Sequence, residues 1–174
     1  LVMIFANTKQ RVDEITEFLN RKGYQADGLH GDMKQAQRTK VMNAFKRGHR
    51  TILIATDVAA RGIDVNNVDY VINYDVPQND EYYIHRIGRT GRAGKDGKAI
   101  TLCCGRRQTE ILLRTARTIK TDIARLTLPR AAEVLRKRRD ANLIQVEQAI
   151  EAGNFDYKKM VFELMDKGYT PLEI

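Results

Sequence analysis

Thr51-Ile52-Leu53-Ile54-Ala55-Thr56-Asp57-Val58-Ala59-Ala60-Arg61-Gly62-Ile63-Asp64 opens on a short apolar run and passes at Thr56 into a polar loop that contains a glycine. A run this short, aliphatic and bounded by polar residues reads as a buried strand. Four more runs of the same kind lie at Leu1–Phe5, Ala26–His30, Tyr70–Tyr74 and Ala99–Cys104. Amphipathic segments separate them. Val12, Ile15, Phe18 and Leu19 form one helical stripe closed by Gly23, and Val41, Met42 and Phe45 form another closed by Gly48. This alternation predicts an α/β domain, a doubly wound parallel sheet with helices on both faces. In such sheets ligands collect beyond the carboxyl ends of the strands. That rule directs attention to Asn7–Lys9, His30–Asp32, Thr56–Asp64 and the residues from Asp75 onward.

Beyond Arg106 the pattern changes. A helix is expected to Thr118, then a short strand that includes Ile123–Leu126, then a long charged helix that follows Pro129, runs to Ala152 and stops at Gly153. Tyr157, Met160, Val161, Leu164 and Met165 align one apolar face of a second helix that ends by Gly168. Thr170 and Pro171 read as the N-cap and first position of a third helix, cut short at Ile174.

With 174 residues, 43% of them hydrophobic, the chain can bury one sizeable core and carry an appendage, which excludes an intrinsically disordered class. The formal charge of +8 favours a polyanionic partner, and its distribution is uneven. Residues 106–139 hold 11 basic side chains against 3 acidic, whereas residues 140–174 hold 3 against 7. Cys103 and Cys104 are adjacent, read as strand residues, and have no other cysteine to pair with, so a reducing cytoplasmic setting is expected. No metal-ligand spacing emerges from His30, His49 and His85. Neither a secretory leader nor an apolar stretch of about 18 residues is visible. The chain opens directly on a strand-like run and reads as a piece of a longer protein.

The most informative stretch is Tyr83-Ile84-His85-Arg86-Ile87-Gly88-Arg89-Thr90-Gly91-Arg92. If helical, it sets Arg86, Arg89 and Arg92 at successive three-residue steps, where like charges repel by roughly 0.2–0.5 kcal/mol per pair. Gly88 and Gly91 would each cost about 1 kcal/mol more than alanine in a helix. A bound anion offsets such repulsion, because guanidinium forks suit phosphate oxygens.

Residues His85–Arg92 resemble the H-R-I-G-R-T-G-R motif of DEAD-box RNA helicases. Ile54–Asp64 is similar to the family's A-T-D-V-A-A-R-G-I-D motif, Phe5–Lys9 to its F-x-N-T-K/R segment, and His30–Asp32 with Gln35–Arg38 to its H-G-D and Q-x-x-R elements. The resemblance covers residues 1–126 and implies the C-terminal, RecA-like domain of an ATP-dependent RNA helicase. It implies further that Arg89 and Arg92 reach the γ-phosphate of ATP, with Arg92 as the arginine finger, and that His85 and Arg86 couple two domains. Asp64 would accept a hydrogen bond from the ATP ribose, and Gly62 would belong to the same ATP-binding segment. Thr56, Arg38, Gly31, Thr8 and Asn7 would contact the RNA backbone without reading its sequence. Structural alternatives stand beside these roles: Asn7 or Thr8 as a helix cap, Asp57 as the cap of a helical turn, Arg61 in an internal ion pair, and Arg38 as a surface arginine. Tyr82 and Tyr83 read as packing residues.

There is no G-x-x-x-x-G-K-[ST] sequence and no D-E-A-D segment. The phosphate cradle and the Mg²⁺ ligands are therefore expected on an N-terminal RecA-like domain that this chain lacks, so the chain alone is expected to be inactive. Residues 127–174 resemble the helical dimerisation region of bacterial cold-shock-type DEAD-box helicases, which implies a homodimer through that segment. Two other readings stay open at this stage, a pure RNA-binding or dimerisation module and a DNA-directed relative.

Overall fold

The computed structural model describes all residues except 62, 64, 66, 67, 92, 93, 95, 154 and 171–174, and for 155–158 the backbone alone. Gly62, Asp64 and Arg92 thus lie outside the described residues, as does the expected third helix from Pro171. The chain divides into two compact units, Leu1–Ile123 and Ala124–Ile174.

The first unit is built on five parallel strands, β1 (Val2–Phe5), β2 (Ala26–Leu29), β3 (Ile52–Ala55), β4 (Tyr70–Asn73) and β5 (Lys98–Thr101). Their order is β2-β3-β1-β4-β5. In register, Phe5 sits between Ala55 and Asn73, so the loops after β1, β3 and β4 leave the sheet side by side. The strand period of two divides the core. Met3 and Phe5 face a cluster with Leu29, Phe45, Leu53 and Val71, while Ile4 and Ala6 face another with Val12, Ile15 and Ala26. Helices therefore cover both faces, as the alternation of strands and helices predicts.

Helix α1 (Lys9–Arg21) starts where the Thr8 hydroxyl accepts from the Arg11 amide at 3.2 Å, and it buries Val12 and Ile15. Gly23, at φ +83°, supplies the left-handed exit. Phe18, expected in the apolar stripe, is instead half exposed under the Lys22 ammonium. Helix α2 (Gln35–Lys46) buries Phe45, with Val41 and Met42 partly covered. Helix α3 (Asp57–Ala60) is a single turn capped by Thr56, and α4 (Asp80–Ile87) is capped by Asn79. Helix α5 (Arg106–Thr118) packs through Leu112, Thr115 and Ala116, and the Thr115 hydroxyl donates to Asp80 at 2.6 Å.

Three sequence expectations fail. No strand forms at Ile123–Leu126, where the chain has no regular structure; β5 is the sheet's outer strand, hydrogen-bonded to β4 alone. Cys103 and Cys104 fall beyond β5, and both are free thiols. Burial, followed by the neighbouring Cys104, pushes the Cys103 thiol above its ordinary value. The third failure is the arginine-bearing helix: α4 stops at Ile87 with Gly88 as its cap, and beyond it the Arg89 and Thr90 amides donate three residues back, to the Arg86 and Ile87 carbonyls at 3.2 and 3.1 Å, in place of the α-helical four.

The second unit contains α6 (Ala131–Glu151) and α7 (Phe155–Asp166). At the start of the first, the Glu133 carboxylate accepts from the Arg130 amide at 3.3 Å. That helix buries no residue, leaving Leu135, Leu143, Ile144 and Ile150 exposed, as are Met160, Phe162 and Met165 on α7. Among the described residues no helix is long and apolar enough to cross a membrane.

Candidate functional site

Arg86 stands on the last turn of α4, where a cation suits the negative end of the helix dipole. Its side chain is fully buried, and that is affordable only because every donor finds an acceptor. Nε and Nη2 fork onto the two carboxylate oxygens of Asp57, each at 2.7 Å. Nη2 also donates to Asn7 Oδ1 at 2.8 Å, and Nη1 donates to the Asp75 carbonyl at 2.8 Å and to Asn73 Oδ1 at 3.4 Å. The guanidinium lies 5.2 Å from the centre of the Phe5 ring. One side chain thus ties together the segments that follow β1, β3 and β4. The expectation that Arg86 faces a second domain needs correction: its five N–H groups are spent inside this one.

Arg89 follows in the turn after α4. It donates through Nη1 to the carbonyls of Ile63 at 2.9 Å and Val65 at 3.4 Å, and through Nη2 to that of Ala60 at 3.3 Å. Backbone carbonyls at the end of α3 and in the loop after it therefore set its place. The chain then runs beside Val68, whose amide donates to the Arg89 carbonyl at 3.2 Å, while the Thr90 hydroxyl donates back to the Val68 carbonyl. Gly97 makes this clasp sterically workable, since a Cβ there would lie 2.0 Å from Thr90 Oγ1 and 2.3 Å from the Gly91 nitrogen.

At the rim the groups are exposed. Arg61 reaches Glu81 at 3.6 Å and stacks on Tyr82 with 4.9 Å to the ring centre, and His85 Nδ1 lies 4.0 Å from the same Glu81 carboxylate. Arg61 is therefore in the internal ion pair weighed from the sequence. Asp57, the other residue left open, serves as the partner of Arg86. Tyr83 is buried, as expected of a packing residue, and burial raises its phenol above the ordinary range. The notch between Asp57, Arg61, Tyr82, His85 and Arg89 encloses about 10 Å³, room for about one water molecule and far less than a nucleotide needs. The residues border an open surface.

The remaining candidates line the same carboxyl edge. Thr8 and Thr56 both cap helices, Thr56 Oγ1 accepting from Ala59 at 3.4 Å. Half-buried Asn7 takes the Asp75 carboxylate on its amide at 2.9 Å and donates from Nδ2 to the Val76 carbonyl at 3.3 Å. Arg38 donates to the Ala59 carbonyl at 3.1 Å, which draws α2 toward α3. Lys9 bonds Asp32, and this exposed contact raises the ammonium and lowers the carboxyl from their ordinary values. His30 sets Nε2 3.2 Å from Asp13, and its buried Nδ1 has no partner among the described residues. Gly31 is exposed, and a Cβ there would meet nothing within 4 Å.

Residues 1–94 match the family described as helicase conserved C-terminal domain. The Escherichia coli DEAD-box protein SrmB, solved bound to regulator of ribonuclease activity A, is 38% identical, with a TM-score of 0.68 over 72% of this chain and 74% of that one. The chain belongs to the DEAD-box family of helicase C-terminal domains. A second similar structure is a single-substitution variant of Saccharomyces cerevisiae Dbp5 bound to RNA and ADP BeF3, at 33% identity and a TM-score of 0.68 over 80% of this chain and 37% of that one. The DEAD-box ATP-dependent RNA helicase CshA of Geobacillus kaustophilus is 44% identical over 168 residues, which are 96% of this chain and 36% of that protein. The chain thus spans about a third of the length of the curated relatives it matches.

In this DEAD-box domain, the parts that sequence reasoning missed are the acceptors around Arg86: Asn73, the Asp75 carbonyl and the Phe5 ring. Asn73 and Asp75 lie 13 and 11 residues away along the chain and Phe5, like Asn7, in the segment of β1 at the far end of the unit's sequence, and no local pattern joins them. The Tyr82 platform under Arg61 escaped for the same reason.

Proposed function

We propose that the chain is the C-terminal motor lobe of an ATP-dependent RNA helicase that acts in the cytoplasm, completing an ATP site whose phosphate cradle sits on an N-terminal RecA-like domain. The observation that carries this reading is the saturated cage of Arg86. It spends a buried cation to hold the loops after β1, β3 and β4 in one arrangement, which suits an edge that must meet a second surface with little reorganisation. On this reading Arg92 is the arginine finger and Arg89 stands beside it against the γ-phosphate. Asp64 takes the ribose, Gly62 belongs to the same ATP-binding segment, and His85 with the Arg86 cage transmits closure between the domains. ATP binds with Mg²⁺. Among the described residues no three His, Cys, Asp or Glu side chains converge on a point that could hold a metal ion, so no step is assigned to one here.

RNA lies along the carboxyl edge, its phosphates meeting Thr56, Arg38, Thr8, Asn7 and the backbone at Gly31. Neither φ nor space within the fold requires glycine at 31, which fits close approach by a partner. Contacts of this kind read phosphate and not base, so binding is indifferent to sequence and weakens with salt. The uncovered apolar side chains of α6 and α7 support pairing of two copies through residues 127–174.

The decisive test is Arg92→Ala in the full-length protein. RNA-stimulated ATP turnover falls by about 10³ to 10⁵ if Arg92 is the finger, with RNA affinity nearly unchanged. Unaltered turnover defeats the motor assignment.

A further inference from the structure

Helices α1 and α5 are both 13 residues long, lie on the same unit and expose one face, yet their charges differ. On α1, Lys9, Arg11 and Arg21 are matched by Asp13, Glu14 and Glu17, and the pairs Arg11–Glu14 and Arg21–Glu17 close at 3.0 and 2.8 Å. On α5 the buried stripe of Leu112, Thr115 and Ala116 leaves Arg106, Arg107, Arg114 and Arg117 on the opposite arc, with Glu110 the lone acid. Glu110 is taken by Arg106 at 2.9 Å; among the described residues Arg107, Arg114 and Arg117 have no acidic partner.

This face opposes the ordinary rules of helix stability. Arg106 and Arg107 occupy the first turn, where the helix dipole is positive, and no acid stands there. Arg114 and Arg117 are three residues apart and Arg107 and Arg114 seven apart, so like charges face one another along the stripe. Burial does not select these residues, since all four are exposed. Guanidinium groups without carboxylates form a surface for phosphate oxygens.

We infer that the arginine face of α5 is a second phosphate-binding surface, which extends the path of the same RNA strand beyond the loops of the candidate site. The inference rests on the RNA-helicase reading above. The fold supplies the continuity. A four-residue link, 102–105, joins the carboxyl end of β5 to α5, so the stripe starts close to the carboxyl edge of the sheet and runs about 16 Å along the helix from Arg106 to Arg117, at 1.5 Å per residue. That length accommodates two or three nucleotides of extended backbone. Arg107 and Arg114 are the central contacts because neither is drawn off by Glu110.

The experiment measures the affinity of the full-length protein for two single-stranded RNAs across a salt series, one of about six nucleotides and one of about twenty. The R107Q/R114Q variant removes two charges from an exposed face, and an unchanged thermal midpoint verifies that it folds. On the long RNA its Kd is expected to rise about tenfold, and the slope of log K against log salt to become shallower by about 1.4, near 0.7 for each lost phosphate contact on a single strand. On the short RNA the change is expected to be several-fold smaller. The R107E/R114E variant moves the long-RNA affinity further in the same direction. Wild-type protein that binds neither RNA would defeat the underlying helicase reading. Wild type that binds both, with a variant that matches it in Kd and slope on the long one, overturns this inference alone and leaves an acidic protein as the partner of the face.

Discussion

Arg86–Asp57 and Lys9–Asp32 are both ion pairs between segments distant in sequence, and both lie at the carboxyl edge of the sheet. Arg86 is fully buried with every donor satisfied, whereas the side chains of Lys9 and Asp32 are each about 60% exposed. A buried charge stripped of one partner cannot recover its hydration, while an exposed one returns to water at almost no loss. The first pair therefore governs whether the edge exists. The second adjusts a contact on its rim.

The largest break in this contrast comes from Arg86→Ala. It strands the Asp57 carboxylate and three further acceptors, and about 3–5 kcal/mol of stability should be lost, read as a lower denaturant midpoint with little change in slope. Arg86→Lys should recover only part, because an ammonium with three donors cannot reproduce the fork onto Asp57 and still reach Asn7 and Asp75. Full stability in Arg86→Lys would show that the cage needs a charge and not a planar fork. The Asp57→Asn variant tests the other side, since it keeps the shape but removes the charge that balances the guanidinium.

Gly97→Ala tests the neighbouring clasp. A methyl group there overlaps Thr90 and the Gly91 backbone, and forcing it in should cost about 1–3 kcal/mol, as overpacking generally does. The effect should be local: amide exchange at Thr90 and Val68 accelerates while Met3 and Leu53 in the sheet keep their protection. Uniform acceleration across the sheet would show that the clasp belongs to the same cooperative unit as the Arg86 cage. A smaller loss follows from Arg61→Ala, which removes the stack on Tyr82, worth about 0.5–1 kcal/mol at an exposed site.

These contrasts also mark what the sequence reveals. All five strands are legible within two or three residues of their ends, most sharply β1 and β3, because a parallel strand buried on both faces needs an unbroken apolar run. The caps at Gly23 and Gly48 are legible because a left-handed exit favours glycine. The end of α4 is not legible. A three-residue ladder of arginines looks helical, but Gly88 can close a helix as well as interrupt one, and here the Thr90–Val68 bridge draws the following residues out of the helix. Motif residues identified the edge without revealing the division of labour on it. Thr8 and Thr56 cap helices while Arg86 holds the loops together, and these are properties of contacts between segments up to 79 residues apart. The strand expected at Ile123–Leu126 shows the converse failure: an apolar run without a neighbour to pair with remains irregular.

The exposed pair offers the finest test, through pH. The hydrogen bond from Lys9, followed by its charge, lowers Asp32 from the ordinary 3.8, and the same bond raises Lys9 from the ordinary 10.5. Because the folded carboxyl is depressed, its contribution is present above 3.8 and is lost as pH falls through the lower folded value. The raised ammonium contributes fully below 10.5 and loses that contribution as pH climbs through the higher folded value. Between the two limits Asp32→Asn should leave the thermal midpoint within experimental scatter at about 0.15 M salt, where exposed charges are screened. The sharper measurement is the Asp32 carboxyl titration followed by NMR. In Lys9→Met its midpoint should return toward 3.8, and added salt should shift the wild-type midpoint the same way while leaving the variant nearly still. A midpoint unmoved by Lys9→Met would mean that Asp32 draws its depression from elsewhere on the edge, and the two ion pairs would then no longer be independent of each other.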